Sequence, residues 1–189
     1  MDLYETIFTR RTIKDFKPGP VPGETLDRVL GTGVWAQNHR LTQPWRFTVL
    51  GPQTHRRLAD IAASSQADLL SPEAPAAERE RVSTDALNKI LGKPLVVAVS
   101  QWLGPVAQRQ EDYGAIACAI QNIQLAAWSE GLGMQWSSGK LTQLPQTYEL
   151  LDINCGQEEI VGLLFFGYPA LVPPPQPRKP LSAVTRYLP

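Results

Sequence analysis

Asp112-YGAIACAIQNIQLAAWS-Glu130 contains seventeen consecutive residues without a charge, in the middle of the chain. The run is shorter than the ~20 predominantly apolar residues of a membrane span, and the amides of Gln121, Asn122 and Gln124 would lack partners in lipid. It instead predicts a helix that is buried nearly all round and whose alanines allow close packing against other helices. We therefore expect this helix at a domain centre or at an interface between two copies of the chain, and we expect no membrane partner.

Helices and strands are predicted on both sides of this central helix. Apolar spacing and turn residues predict further helices over 2–9, 24–34, 53–67, 78–91 and 143–151, and strands over 46–50, 95–99, 134–137 and 160–166. Helices and strands mix without a regular alternation of strand, helix and strand, which favours an α+β fold over a doubly wound sheet. We expect a three-layer α/β/α sandwich around a mixed, mostly antiparallel sheet.

The length of 189 residues fits one domain, residues 1–170, followed by an extended proline-rich arm, residues 171–189. The segment Val172-Pro-Pro-Pro-Gln-Pro177 can form neither a helix nor a central strand. Residues 181–188 carry enough β-branched and aromatic side chains to add an edge strand, and we expect this strand on a partner subunit. Residues 71–77 predict a flexible surface excursion that is a candidate lid.

Composition excludes several classes of function. The chain has 18 basic and 18 acidic residues and a formal net charge of zero, so no global field favours nucleic acid. The N-terminus shows neither the basic nor the apolar region of a signal peptide, and we expect a cytoplasmic protein. Cys118 and Cys155 lie in no C-x-x-C motif and predict reduced thiols. With His39 and His55 as the only histidines, no metal site is expected.

The first segment that indicates a binding site is Arg10-Arg11-Thr12-Ile13-Lys14. It places three cations within five residues directly after the first predicted helix. Guanidinium groups held against a rigid element suit phosphates and carbonyl oxygens. The alternative is that these cations only complement the dipole at the end of the helix.

Two further segments accompany the basic run. Trp35-AQNHRLTQP-Trp45 is a polar, amide-rich loop between two tryptophans, and the alternative is a simple turn with aromatic anchors. Glu130-GLGMQWSS-Gly139 is a glycine-containing turn that leads into a strand ending in two hydroxyls. It lacks the third glycine and the preceding strand of a dinucleotide fingerprint. Gly131 is suited to end a helix in either interpretation.

Taken in order, these segments resemble the FMN-dependent nitroreductase family. The resemblance spans nearly the whole chain and is closest to a short branch with a histidine in the loop, here His39, and a later W-x-S-G, here Trp136-Ser-Ser-Gly139. The chain differs from the family motifs at three positions. Thr12 replaces a serine, Gln37 replaces a proline, and Asn38 replaces a serine or an aspartate. The motifs lie at Arg10–Lys14, Trp35–Trp45, Asp112–Ala115, Gly131–Gly133, Ile160–Pro169 and Arg178–Leu181.

The resemblance implies a homodimer that binds one FMN at each of two sites in its interface. From one subunit, Arg10, Arg11, Thr12, Lys14 and Arg178 would hold the phosphate, the ribityl chain and the pyrimidine edge. From the partner, the loop would contribute Trp35, Asn38, His39 and Gln43. Trp136, Ser137 and Ser138 would line the other side of the ring, near N5 and O4. The alternatives are a core position for Trp136, a loop histidine without a role for His39, and a solvated cation for Arg178.

The implied activity is transfer of a hydride from NADH or NADPH to the flavin, and then to a nitroaromatic, a quinone or a related electron-poor small molecule by a ping-pong mechanism. Such an oxidoreductase needs no catalytic nucleophile or acid from the protein, and the chain offers no set of residues for one. The alternatives are a reductive dehalogenase or a flavin-consuming enzyme of the same fold, a non-catalytic protein that binds or senses FMN, and an interaction module without a cofactor.

Overall fold

A computed structural model describes all residues, 1–189. Every helix and strand predicted between residues 2 and 166 is present, with ends shifted by up to four residues. In chain order they are α1 (Leu3–Thr9), α2 (Gly23–Gly33), β1 (Trp45–Val49), α3 (Pro52–Ala67), α4 (Ala76–Leu91), β2 (Leu95–Trp102), α5 (Arg109–Ser129), β3 (Gly133–Ser137), α6 (Pro145–Leu150) and β4 (Glu158–Gly167).

The four strands form one sheet in the order β1-β2-β4-β3, and all neighbouring strands are antiparallel. Strand β2 is central and buried from Val96 to Gln101, which agrees with its continuous apolar sequence. The outer edge of β3 is covered by a parallel bridge between Thr12 and Met134. The outer edge of β1 has no strand beside it in the chain. The prediction of a mixed, mostly antiparallel sheet is therefore confirmed.

Helices cover both faces of this sheet. On one face, α2 and α5 pack through fully buried side chains such as Val29, Ile116 and Ile123. On the other face, α3, α4 and α6 pack through residues that include Leu58 and Ile90. Each such aliphatic side chain contributes about 1.5–3 kcal/mol when it leaves water. The three-layer α/β/α fold is thus confirmed, with one apolar core on each side of the sheet.

Helix α5 is buried on one side only. Ile116, Ile120 and Ile123 face the core, whereas Gly114 and Gln121 are exposed in the single chain. The expectation of burial all round is therefore wrong for the isolated chain, because nothing covers the outer face of the helix. None of the helices combines the length and the apolar character needed to cross a bilayer.

Residues 171–180 form neither a helix nor a strand, and the one regular element of the C-terminal arm is a 3-10 turn at Leu181–Ala183. Residues 181–188 pair with no strand of their own chain, so a strand added to a partner subunit stays a prediction. The excursion at residues 71–75 joins α3 to α4. The guanidinium of Arg79 donates to the carbonyl oxygens of Ala67 and Ser71, which connects this excursion to both helices.

Candidate functional site

The basic segment lies along the outer edge of β3. The N–H of Ile13 donates to the Met134 carbonyl oxygen at 3.1 Å, and the Ile13 side chain is fully buried. Helix α1 ends immediately before it, where the N–H of Arg10 donates to Thr6 at 3.0 Å. Side chains alternate along an extended backbone, so Thr12 and Lys14 point away from the core that holds Ile13. The cations are thus held against rigid structure, as the sequence predicted.

The arm returns to this segment and closes a cleft over it. The N–H of Ala170 donates to the Asp15 carbonyl oxygen at 3.0 Å, which starts the arm beside the basic segment. The cleft has a volume of about 350 Å³, and Arg178 lies in it together with the cations near the N-terminus. Its lining residues are Arg10, Arg11, Thr12, Lys14, Asp15, Leu171, Pro173, Pro174, Gln176 and Arg178.

Positive charge is in excess in this cleft, which is lined by four basic residues and by one carboxylate, that of Asp15. Burial lowers the pKa of Arg10, and the neighbouring cations Arg11 and Arg178 lower it further. None of these three arginines forms an ion pair in the chain. Arg11 and Arg178 donate to backbone carbonyls, whereas the half-buried guanidinium of Arg10 has no acceptor from the protein. This arrangement fits a multiply charged anion such as a phosphate monoester, which would supply the missing acceptors.

A buried lysine forms a hydrogen bond with the backbone of the basic segment. The ammonium group of Lys93, a residue only 8% exposed, donates to the Lys14 carbonyl oxygen at 2.6 Å. It lies 5.3 Å from the centre of the Phe16 ring and 5.6 Å from that of Phe165. Burial lowers the pKa of Lys93, and Asp15 partly opposes this. Sequence patterns do not identify this residue, because a lysine just before a strand carries no signal of burial.

The loop between the two tryptophans lies at the other edge of the sheet. It precedes β1, whereas the cationic cleft lies beside β3, and β2 and β4 separate these edges. A single chain therefore does not bring the loop and the cleft together. Trp35 is 86% exposed, and the His39 Nε2 lies 3.8 Å from the Glu111 carboxylate.

The backbone of this loop is strained. Arg40, Leu41 and Gln43 have φ angles of 58°, 51° and 45°, although none is a glycine. A left-handed conformation costs about 1–2 kcal/mol for each such residue. Side chains compensate: the Gln43 N–H donates to the Asn38 Oδ1 at 2.9 Å, and the Asn38 Nδ2 donates to the hydroxyl of a neighbouring threonine at 2.8 Å. Strain held by surrounding structure is typical of functional sites.

The end of β3 lies beside the basic segment, but its side chains diverge. The indole N–H of Trp136 donates to the Val161 carbonyl oxygen at 3.3 Å, and the ring packs with the core on the α5 side of the sheet. Ser137 lines a cavity of about 160 Å³ on the opposite side, shared with Lys93, and Ser138 is exposed. The Trp136 side chain therefore occupies a core position, which the sequence left open as an alternative. Its backbone stays available at the strand edge.

Proteins of known structure share this architecture. A structure described as a nitroreductase-like family protein from Bacillus cereus superposes with a TM-score of 0.84 at 28% identity, covering 100% of this chain and 96% of that chain. A structure described as a "putative nitroreductase in complex with fmn" from Desulfovibrio desulfuricans superposes with a TM-score of 0.74 at 22% identity, covering 98% of this chain and 96% of that chain. The second likeness shows the fold alone. Together they define an α+β protein with a nitroreductase-like fold.

The sequence comparisons give the family. The model of the nitroreductase family matches residues 7–168. The Bacillus subtilis protein named "Putative NAD(P)H nitroreductase YfhC" is 30% identical over 184 residues, which cover 95% of this chain and 90% of that protein. The chain belongs to the nitroreductase family, and it is an oxidoreductase.

Proposed function

We propose that this protein is an FMN-dependent NAD(P)H oxidoreductase that reduces nitroaromatics, quinones or related electron-poor small molecules. The observation that carries the proposal is the cleft in which Arg10, Arg11 and Arg178 converge and none of them forms an ion pair. Family membership and the name of the Bacillus subtilis relative support the same activity. The Desulfovibrio structure in complex with FMN supports FMN as the cofactor of a protein with this fold.

In this proposal, different residues of the cleft bind different parts of FMN. Arg10, Arg11 and Arg178 bind the phosphate, and Thr12 adds a hydroxyl to the ribityl chain. Lys14 places a fixed positive charge at the pyrimidine edge, near N1 and the C2 carbonyl, where negative charge develops on reduction. The backbone of Trp136, Ser137 and Ser138 supplies donors on the other side, near N5 and O4.

When bound, FMN would accept a hydride from NADH or NADPH and deliver it to the second substrate in a ping-pong cycle. The protein's residues bind and orient both substrates and stabilise charge, so no side chain of the chain acts as nucleophile or acid. This division of roles agrees with a cleft whose charged side chains are mostly cations, with Asp15 as its single carboxylate.

The proposal includes a homodimer with the flavin at its interface. The loop and the cleft lie at opposite edges of one sheet, so the loop can reach a flavin held by the cleft of another copy. Trp35 and Phe8 are strongly exposed apolar side chains that a second copy would cover. Trp35, Asn38, His39 and Gln43 then contact the flavin from the partner subunit. The free edge of β1 offers a place for residues 181–188 of that partner.

The visible spectrum of the purified protein tests the cofactor and the reaction. We expect flavin absorption bands, bleaching by NADH or NADPH without oxygen, and recovery of colour on addition of a nitrobenzoate or a benzoquinone. Bands that neither nicotinamide bleaches would indicate an FMN-binding protein without turnover. A colourless protein that also fails to bind added FMN would overturn the proposal.

Sedimentation of the full chain tests the assembly. We expect two chains and two flavins per particle, and an FMN affinity that falls when dilution separates the chains. A monomer that binds FMN as tightly as the concentrated protein would remove the loop residues from the site.

A further inference from the structure

A chain of side-chain hydrogen bonds leads from the strained loop into the core of the molecule. The Asn38 Nδ2 donates to the Thr42 Oγ1 at 2.8 Å. The Thr42 hydroxyl in turn donates to the Asp112 Oδ1 at 2.6 Å. The Asn38 Oδ1 accepts the N–H of Gln43 at 2.9 Å, so both ends of the amide are used. Thr42 therefore accepts one bond and donates another, and removing its hydroxyl breaks both.

The end of this relay is a rigid anchor. Asp112 is only 2% exposed and lies in the first turn of α5, where the helix dipole stabilises a negative charge. Helix α5 is held one turn further on by Ile116, which is fully buried in the core. A buried carboxylate that loses its donor is costly, so Asp112 holds Thr42 firmly.

Backbone bonds alone hold this loop weakly. The one backbone hydrogen bond within its 3-10 turn joins the N–H of Leu41 to the Asn38 carbonyl oxygen at a long 3.3 Å. Three left-handed residues within four positions oppose the observed conformation, since local sequence does not favour it. The guanidinium of the exposed Arg46 also donates to the Gln43 carbonyl oxygen at 3.1 Å. The relay is the side-chain support that connects the loop to a buried residue of α5.

We propose that Asp112 is a positioning residue: acting through Thr42 and Asn38, it holds the loop in the conformation that presents Asn38 and Gln43 to the flavin of the partner subunit. The inference rests on the proposed function, because it assigns the loop to the flavin. Asp112 itself touches no cofactor. The family resemblance marked the D-x-G-A segment at Asp112–Ala115 without a role for its aspartate.

The test compares Thr42→Val, which removes the hydroxyl and keeps the shape, with Thr42→Ser, which keeps the hydroxyl. Thr48→Val is the matched control, because Thr48 lies in the adjacent strand β1 and its hydroxyl makes no hydrogen bond to the protein. Two quantities are measured on flavin-free protein: the dissociation constant for added FMN, and the hydrogen-exchange rate of the peptide covering residues 37–44. The second needs no cofactor.

We expect Thr42→Val to raise the FMN dissociation constant about tenfold and to accelerate loop exchange by a similar factor, the effect of losing a partly buried hydrogen bond to a charged group. Thr42→Ser should stay within about twofold of the wild type, and Thr48→Val should match the wild type in both measurements. Exchange in α5 should not change, which separates loss of the loop from loss of the fold.

A double-mutant cycle with Asp112→Asn checks that the two residues act as one unit. If they do, the effect of the double variant on FMN binding is smaller than the sum of the single effects. Additive effects would overturn the relay. So would a Thr42→Val protein with normal exchange and normal affinity.

Two other outcomes separate this inference from the proposed function. If the wild type binds no FMN, the proposed function fails and the positioning role toward a flavin fails with it, while the exchange rates still report whether the relay holds the loop. If the wild type binds FMN and Thr42→Val accelerates exchange without weakening binding, the loop does not serve the flavin. That result would overturn the positioning role and leave the cofactor in place.

Discussion

The side chain of Ile13 occupies the space that a side chain on Gly133 would need. A Cβ built on Gly133 would lie 2.6 Å from the Ile13 Cβ, well inside the distance at which carbon atoms repel. The absence of a side chain at the first residue of β3 thus lets the basic segment approach the sheet. The position of the cations at 10, 11 and 14 therefore depends on a glycine more than a hundred residues away.

Gly133→Ala should displace the basic segment. Because the Ile13 Cβ is attached to the backbone and cannot rotate away, we expect a loss of about 1–3 kcal/mol in the free energy of unfolding, measured by urea denaturation, together with weaker FMN binding. Gly31→Ala is the control, since nothing lies within 4 Å of a Cβ there. Gly31 is within α2, so alanine should stabilise the protein by up to about 1 kcal/mol. Equal effects of the two substitutions would contradict this account of Gly133.

Arg10→Ala and Arg178→Ala should each weaken FMN binding about 10- to 100-fold, the range expected for one hydrogen bond between charged groups. Neither variant should lose stability, because removing one cation relieves the repulsion that lowers the pKa of Arg10. Arg56→Ala is a control with the same charge change, on an exposed ion pair with Asp60 of α3. Titration of flavin fluorescence measures all three. Stoichiometric flavin in purified Arg10→Ala would remove this residue from the site.

Lys93 should make stability depend on pH in the alkaline range. Burial lowers the pKa of Lys93 in the folded protein. At pH values between this lowered pKa and the pKa of an unfolded lysine, about 10.4, the unfolded chain binds more protons than the folded protein. The contribution of Lys93 to the free energy of unfolding therefore rises with pH across this window.

Denaturation of the flavin-free wild type and of Lys93→Met, at several pH values above neutrality, measures this contribution as the difference between the two proteins. We expect the difference, wild type minus variant, to rise toward pH 10.4. A flat or falling curve for Lys93 would mean that burial does not control its ionisation.

Trp136→Phe separates a core role from a cofactor role. The phenyl ring keeps most of the apolar contact but loses the indole hydrogen bond to Val161, so we expect the free energy of unfolding to fall by about 1 kcal/mol. FMN affinity should stay unchanged, because the proposal uses only the backbone at this position. Calorimetry and flavin titration measure the two effects. A large loss of affinity with unchanged stability would instead place the indole against the flavin.

Much of the fold could be predicted because its signals are local. The apolar run of β2 and the uncharged run of α5 each report burial directly through hydrophobic spacing. Proline at 52 and 145 begins two helices, and Gly131, with a φ of 79°, follows the end of α5. These features depend on neighbours a few residues away. The predicted boundaries were therefore close, and the resemblance identified the family.

The amino-acid sequence alone determined the order of helices and strands, the family, and the residue types available for a cationic site. The tertiary structure decided which of these residues meet. It brought Arg178 to Arg10, placed Lys93 beneath Lys14, joined Thr42 to Asp112, and put the loop and the cleft at opposite edges of the sheet. The physical reason is that local spacing sets backbone conformation, whereas contacts between distant residues depend on strand order and on the packing of layers, which no local pattern encodes.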